Sequence, residues 1–149
     1  MDHAISASLV LSTEAAVDLA SAMAPTGLVC DESCIAGNRR VTRSGHEWPN
    51  PSERSWWRLH LPRREVWDPE PVVIEVLDLI EPVRDQFMAT VRNLDLDVCV
   101  CLHIHAMPDG AAIPGGTFEP ATLARIVGLG AALDLDLYCW ESGTDLTSR

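Results

Sequence analysis

The sequence predicts a two-layer α/β sandwich in which three helices cover one face of a sheet of four or five strands. Four stretches alternate between apolar and polar residues, as half-buried strands do, and three other stretches carry apolar residues at helical spacing. Each predicted strand is apolar on one side only, so the helices have one face of the sheet to cover. A chain of 149 residues suffices for one core, and we expect residues 1–149 to form a single domain.

The first third of the chain is predicted to form a strand, a helix and a long connection. Residues 4–11 alternate, with serine on the polar side, which is the pattern of a half-buried strand. Residues 12–24 carry alanine, valine, leucine and methionine at helical spacing after a cap at Ser12 or Thr13. Residues 26–54 are rich in turn-forming glycine and proline, so we expect an irregular, loop-rich segment.

The middle of the chain is predicted to add two strands and a long helix. A short strand is expected at residues 40–43, and residues 55–61 alternate again with Trp57 on the apolar side. Residues 71–93 carry a stripe of valine, leucine, isoleucine and phenylalanine that predicts a helix. Pro82 lies within that stripe and is expected to kink or interrupt the helix, because proline has no amide proton to donate.

The last third of the chain is predicted to place two strands around a helix. Residues 94–105 alternate without exception. A helix is expected to begin near Pro120 and to end at Gly130. The side chains of this helix that are expected to face the core are Leu123, Ile126, Val127 and Leu129. Residues 133–141 form the last predicted strand, and residues 142–149 are expected to be a flexible tail. The core-facing side chains of that strand are expected to be Leu133, Leu135, Leu137 and Cys139.

The side of the sheet opposite the helices, which we call the open face, is left to solvent or to a partner. The alternation assigns to it the side chains of Trp56, Arg58, His60, Cys101, His103, His105, Asp134, Asp136, Tyr138 and Trp140. Aromatic residues mixed with arginine are typical of protein interfaces. The predicted partner-binding residues are therefore Trp56, Arg58, His60, Asp134, Asp136, Tyr138 and Trp140.

The charge of the chain indicates the class of partner. Eleven basic residues against 22 acidic ones give a net charge of -11, which argues against non-specific affinity for nucleic acid or for anionic membranes. A basic protein is the better electrostatic match, and a homodimer formed through the open face is an alternative. No apolar stretch is long enough to span a membrane, and five cysteines do not form a paired framework. We expect a cytoplasmic protein.

The stretch DVCVCLHIHAM, residues 97–107, raises the question of a metal site, because cysteine and histidine recur at every second position. His103 and His105 form a His-x-His pair of the kind that can bind zinc. Alternate residues of a strand lie about 6.6 Å apart, so these two histidines cannot share one tetrahedral ion with both Cys99 and Cys101. Side chains from nearby strands would have to complete a site, and the candidates are His60, Asp134 and Asp136. The alternative is an ordinary polar strand surface.

The other signals for chemistry are weaker. Cys30 and Cys34 lack the spacing of common zinc knuckles and redox motifs. A four-cysteine site with Cys99 and Cys101 would require the loop to fold over the end of the strand. The motifs of serine hydrolases, phosphate-binding glycine loops, zinc proteases and dinucleotide-binding proteins do not occur. The sequence therefore predicts no catalytic residues and no cofactor, and zinc is the alternative.

The C-terminal part of the chain carries motifs of a known family. The stretch FEPATLARIVGLGAALDLDLYCW combines a short helix, the Leu129–Gly130 pair and an alternating strand that ends in Asp136-x-Tyr138. In these motifs, and in the order of segments over residues 4–140, the chain resembles an uncharacterised bacterial family, domain of unknown function 4279. The resemblance implies an α+β fold with a mainly antiparallel sheet, and it implies no activity and no catalytic residues.

From these observations we expect a non-enzymatic protein-binding module. Some small acidic bacterial proteins of such families neutralise toxins, so by analogy the chain is expected to be an immunity protein against a basic toxin. The alternative is a protein, even an enzyme, that binds a metal or a small ligand through His103 and His105.

Overall fold

The computed structural model of the chain describes residues 3–106 and 115–139. The strands are β1 (Ala4–Thr13), β2 (Glu32–Cys34), β3 (Arg39–Val41), β4 (Glu47–Pro51), β5 (Ser55–His60), β6 (Asp97–Ala106) and β7 (Ala132–Cys139). The helices are α1 (Leu19–Met23), α2 (Glu70–Ile80), α3 (Arg84–Asn93) and α4 (Pro120–Gly128). Trp140 and the tail predicted at residues 142–149 lie outside the described ranges. The predicted α+β fold, with a mainly antiparallel sheet and helices on one face, is confirmed.

The larger sheet has the strand order β2-β5-β1-β6-β7, with β1 at its centre. β1 pairs antiparallel with both β5 and β6, so Ser8 lies between His60 on one side and Cys101 on the other. β2 pairs antiparallel with β5, whereas β7 runs parallel to β6 and places Asp134 beside Cys101. The single parallel pair therefore lies at the β7 edge of the sheet.

The helices enclose one core with the apolar face of the sheet. The largest fully buried side chains include Ile5, Leu9, Leu11, Leu19, Met23, Trp57, Leu77, Ile80, Phe87 and Leu102. α2 and α3 form the long helical region that was predicted for residues 71–93, and Pro82 lies in the short 3-10 turn between them. Proline interrupts the helix here because it cannot donate the backbone hydrogen bond. No helix in the described ranges has both the length and the apolar content needed to cross a membrane.

The first helix begins later than predicted. β1 extends to Thr13, and α1 begins at Leu19 with Asp18 as its cap, rather than with Ser12 or Thr13. The Asp18 carboxylate accepts hydrogen bonds from the hydroxyl and the backbone N–H of Ser21, and these bonds lower the pKa of Asp18. The prediction of a helix starting at residue 12 was wrong because pairing with β5 keeps the chain extended to the end of β1.

Four apolar side chains that were predicted to face the core are exposed in the described part of the structure. Leu123 and Val127 of α4 are 42% and 75% exposed, and Leu135 and Leu137 of β7 are 57% and 51% exposed. Ile126 and Leu129 are buried as predicted, and α4 packs on the core through Ile126 together with Thr122, which was not predicted to face it. The pattern therefore predicted the strand and the helix but not the exposure of these four side chains. For Leu135 and Leu137 the reason is that β7 is an edge strand and no other described element covers its outer half.

The segment predicted to be loop-rich contains three short strands. β2 joins the edge of the larger sheet, and β3 and β4 pair with each other in a separate antiparallel hairpin. The hairpin contains the strand that was predicted at residues 40–43. The residues of β4 read EWPNP and are all exposed, so neither alternation nor composition marks this strand in the sequence.

Candidate functional site

The centre of the open face is a shallow depression whose floor is β1. Over the first half of β1, the side chains directed to this face are the small ones of Ala4, Ser6 and Ser8, and all three are buried. Because they are small, longer side chains from β5 and β6 lean over β1. The depression has a volume of about 220 Å³, and besides the serines it is lined by Arg58, His60, Arg63, His103, His105 and Tyr138.

A chain of polar contacts crosses the depression from β5 to β7. The Ser8 hydroxyl lies 2.7 Å from His60 Nδ1 and 3.2 Å from His103 Nε2, and His103 Nδ1 lies 3.4 Å from a carboxylate oxygen of Asp136. The order carboxylate, imidazole, hydroxyl is that of a serine hydrolase triad. However, Ser8 is 0% exposed, so a substrate cannot reach its oxygen. The contacts therefore orient the two imidazole rings and do not create a nucleophile.

Burial lowers the pKa of all three histidines in the depression. For His60 and His103 burial is the largest cause, and the carboxylates of Asp31 and Asp136 act against it. For His105 the charges of neighbouring cationic groups add to the effect of burial. The three rings are thus mainly neutral at pH 7, and each has a nitrogen that can accept a hydrogen bond.

Several polar groups of the depression are left without partners. His105 stacks on Tyr138, with ring centroids 5.0 Å apart and planes 14° apart. His105 Nδ1 and Arg58 Nε are buried and have no hydrogen-bond partner among the described residues. Arg58 and Arg63 also form no ion pair with any residue in the described ranges. Unpaired cations and buried polar atoms at one place indicate a surface that can bind an acceptor group.

Arginine and tryptophan side chains alternate on the β2 side of the open face, in what we call the Arg–Trp stack. The Arg40 guanidinium lies 5.5 Å from the ring centroid of Trp48 and 5.3 Å from that of Trp56, and the Arg58 guanidinium lies 5.6 Å from Trp56. Arg40 also forms an ion pair with Glu32 at 2.9 Å. Cation–π contacts in series hold these guanidinium groups in fixed positions.

Two thiols and a carboxylate form a second group beside the depression. The Sγ atoms of Cys99 and Cys101 are 3.5 Å apart, and these sulfurs and a carboxylate oxygen of Asp134 all lie within 4.8 Å of one another. Burial, with the Cys99 thiol as its neighbour, raises the pKa of Cys101 to about 12. Among the described residues, no such group of three contains His103 or His105. The predicted metal site at these two histidines stays a prediction. The group of Cys99, Cys101 and Asp134 lies beside it, because Cys101 is two residues before His103 on β6.

The cysteines of the β2 region are not part of a ligand group. Cys34 is buried, and its thiol lies 3.6 Å from two backbone carbonyl oxygens, whereas Cys30 is partly buried. In the part of the chain that the structure describes, neither cysteine shares a potential metal site with two other ligands.

The structure brings together most of the residues that the sequence assigns to the open face. The predicted residues that line or border the depression are Trp56, Arg58, His60, Cys101, His103, His105, Asp134, Asp136 and Tyr138. Trp140 lies outside the described residues. Sequence analysis missed Ser6, Ser8, Arg40 and Arg63. The small residues at alternate positions of β1 are the signal that indicates the floor, but only the strand order shows that β1 is central.

The model of one protein family, described as Domain of unknown function (DUF4279), matches residues 3–140 of the chain. No curated protein and no solved structure matches the chain. The family match includes every described strand and helix, and it confirms the resemblance that the C-terminal motifs predicted.

Proposed function

Because the chain belongs to the family described as Domain of unknown function (DUF4279), whose description states no activity, we propose a function from the geometry of the open face. The chain is a protein-binding module without enzymatic activity, and the open face is its binding surface. One observation carries this proposal: the Arg–Trp stack borders a depression in which Arg58 and Arg63 form no ion pair with a described residue. Fixed arginine and tryptophan side chains are the residues that most often dominate binding energy at protein interfaces.

The distribution of charge supports a partner protein that is basic overall and has acidic groups where it contacts the open face. Many acidic side chains lie on the helical side of the molecule, and those in α2, α3 and the turn between them are Glu70, Glu75, Asp78, Glu81 and Asp85. The net charge of -11 attracts a basic protein from a distance. At contact, Arg58 and Arg63 require carboxylate or carbonyl oxygens from the partner. A basic toxin that the chain neutralises is a partner of this kind, and the chain is then an immunity protein.

The state of the cysteines supports a reducing compartment. The four cysteines in the described ranges, Cys30, Cys34, Cys99 and Cys101, are all free thiols. Free thiols persist in the cytosol, where thioredoxin and glutathione keep them reduced. We therefore propose that the chain acts in the cytoplasm.

Replacement of Trp56 or Arg58 is expected to weaken binding of the partner by roughly 30-fold or more each. Trp56→Ala removes the ring that lies between two guanidinium groups, and Arg58→Ala removes an unpaired cation from the centre of the open face. The partner is first isolated by affinity purification with the tagged full chain. It is then purified and titrated against each variant by calorimetry.

Matched variants on other surfaces provide the control. Trp67 is exposed next to His3, and Arg92 lies on α3. Trp67→Ala and Arg92→Ala remove the same types of side chain and are expected to leave the affinity within about threefold of the unchanged chain, as substitutions outside an interface do. If these two variants lose the partner while Trp56→Ala and Arg58→Ala retain it, the binding surface is on the helical side and the proposal is wrong.

A second candidate function is binding of a small anion in the depression. It is favoured by His105 Nδ1 and Arg58 Nε, which are buried without partners among the described residues. The volume of about 220 Å³ is below the range of roughly 300–1,000 Å³ that is usual for drug-sized ligands. Only a group such as a sulfate, a phosphate or a single carboxylate fits. In this function His103 and His105 contact the ligand.

If the depression binds an anion, its affinity for sulfate is expected to rise as the pH falls from about 7.5 to about 5.5. The pKa values of His60, His103 and His105 are lowered, so the rings are neutral at the higher pH. They gain protons only below the ordinary histidine value, and each proton strengthens the attraction, by roughly tenfold for a charge-assisted hydrogen bond. Sulfate keeps its own charge over this range. Calorimetric titration at constant ionic strength measures the change.

The variant that replaces both His103 and His105 with glutamine is expected to lose most of this pH dependence. His46 lies on the exposed turn between β3 and β4, and His46→Gln is the matched control that keeps it. Sulfate affinity that is equal at both pH values, or that depends on His46, would exclude the depression as an anion site.

A further inference from the structure

We propose that Cys99, Cys101 and Asp134 bind a thiophilic divalent metal ion of the zinc type, in a tetrahedral site whose fourth position is open. The proposal does not rest on the protein-binding function, because metal binding is carried by the two thiols and the Asp134 carboxylate, whereas the protein-binding function is argued from Trp56, Arg58 and Arg63. It also differs from the His103 and His105 site that the sequence predicted.

The positions of the ligand atoms fit a tetrahedral ion. Two thiolates at the usual zinc–sulfur distance of about 2.3 Å place their sulfurs roughly 3.8 Å apart. In the structure the sulfurs of Cys99 and Cys101 are 3.5 Å apart, and a carboxylate oxygen of Asp134 lies within 4.8 Å of both. Small rotations of the side chains therefore suffice for all three ligands to reach one ion.

The fold brings these three residues together through strand register. Cys99 and Cys101 are alternate residues of β6 and so point to the same face, and the parallel pairing of β7 with β6 places Asp134 beside Cys101. The backbone N–H of Leu135 donates a hydrogen bond to Asp134 Oδ1 at 3.0 Å. This bond holds the carboxylate in place and leaves its other oxygen for an ion. Asp134 forms no ion pair with a described residue that would compete for that oxygen.

Charge and proton balance are consistent with a divalent ion. Both thiols lose their protons to solvent when the ion binds, and no electron is transferred. Two thiolates, one carboxylate and a divalent cation leave one negative charge on the complex. Arg58 and Cys99 pair from opposite sides with the same β1 residue, Val10, so Arg58 lies on the same face of the sheet as the ligands. Its positive charge compensates the complex. Thiolate ligands select zinc and cadmium over magnesium and calcium, which prefer oxygen.

Cobalt(II) is the probe for the test, because thiolate ligation to cobalt produces a charge-transfer absorption whose intensity reports the number of sulfur ligands. The full chain, kept reduced with a phosphine, is titrated with cobalt(II) and then with zinc(II). We expect one ion per chain, the intensity of two thiolates, displacement of cobalt by zinc, and release of both thiol protons. Cys99→Ser and Cys101→Ser are each expected to reduce that intensity by about half or to abolish it, since each removes one sulfur ligand. Asp134→Asn keeps both sulfurs and is expected to bind roughly 10- to 100-fold more weakly.

Two further variants separate this site from its alternatives. Cys30→Ser removes a partly buried thiol elsewhere and is expected to leave the absorption unchanged. The double replacement of His103 and His105 by glutamine is expected to leave it unchanged as well. Asp134 is exposed, so Asp134→Asn tests the site even if a cysteine variant fails to fold. Absence of the charge-transfer absorption in the unchanged chain, its full retention in both Cys99→Ser and Cys101→Ser, or its loss in the histidine variant alone would overturn the proposal.

Discussion

Trp57→Ala is expected to lower the free energy of unfolding by about 3–5 kcal/mol, the range for truncation of a buried aromatic side chain. The Trp57 side chain is 1% exposed and lies among the apolar residues of the core. Its removal leaves a cavity that the surrounding strands and helices fill only in part. Urea unfolding followed by far-ultraviolet circular dichroism measures the loss. Because domains are stable by only about 5–15 kcal/mol, the variant is expected to unfold at much lower urea concentration.

The neighbouring residue provides the control for Trp57. Trp56 has the same side chain but points to the open face, where it is half-buried between Arg40 and Arg58. Trp56→Ala is expected to cost only about 1 kcal/mol, the scale of cation–π contacts at partly exposed sites. The pair thus separates folding from the proposed binding, since Trp57 belongs to the core and Trp56 to the proposed binding surface. A larger loss in Trp56→Ala than in Trp57→Ala would mean that the alternation of β5 differs from the one described, because a slip of one residue exchanges the two faces.

Ser55→Ala is expected to lower the free energy of unfolding by about 2–4 kcal/mol, which is large for the loss of one oxygen atom. The Ser55 hydroxyl is fully buried and accepts hydrogen bonds from the N–H groups of Val17 and Ala36, at 3.0 and 2.9 Å. It also donates to the carbonyl of Ala15 at 2.6 Å. Alanine leaves these backbone groups without partners. The same urea measurement gives the change in stability.

A nearby serine is the control for Ser55. The Ser52 hydroxyl makes a single hydrogen bond, to the carbonyl of Arg54 at 2.7 Å. Ser52→Ala is expected to change the free energy of unfolding by less than about 1 kcal/mol. If Ser55→Ala costs no more than Ser52→Ala, the Ser55 hydroxyl does not hold the segments that contain Ala15, Val17 and Ala36 against β5.

Much of the fold follows from alternation, because alternation reports which face of a strand is buried. The pattern of residues 94–105 predicted β6, although the strand begins only at Asp97, after a turn in which Asp95 adopts a positive φ of 49°. The late start of α1 could not be predicted from residues 12–24. The cause is pairing with a strand some 40 residues later, together with the hydroxyl of Ser55. The pattern of neighbouring residues gives no information about contacts with residues so far away in the sequence.

The sequence was sufficient to predict which side chains share the open face, but not the distances between them. Alternation assigned Arg58, His60 and His103 to one face, and the register shows that their strands flank the same central strand. The burial of Ser8 and the approach of the histidines over it depend on the strand order, which the sequence does not give. The closeness of the Cys99 and Cys101 sulfurs also could not be predicted, because strand spacing fixes the distance between backbones and leaves the side chains free to converge.

Arg58 connects the three parts of the open face. It stacks on Trp56, lines the depression with His60, and pairs with the same β1 residue, Val10, that Cys99 pairs with from the other side. The negatively charged complex of a metal ion with Cys99, Cys101 and Asp134 would attract the Arg58 guanidinium, and a carboxylate of a partner protein would attract it as well. Both would therefore compete for the same side chain.

The placement of β1 at the centre of the sheet also affects the kinetics with which the open face would bind a partner. The floor of the depression belongs to a strand that is paired along both edges, with β5 and with β6. Such a backbone is preorganised, so association requires no rearrangement of the floor itself. Among variants of a rigid surface of this kind, association rates differ little, and the lifetime of the complex is what substitutions change.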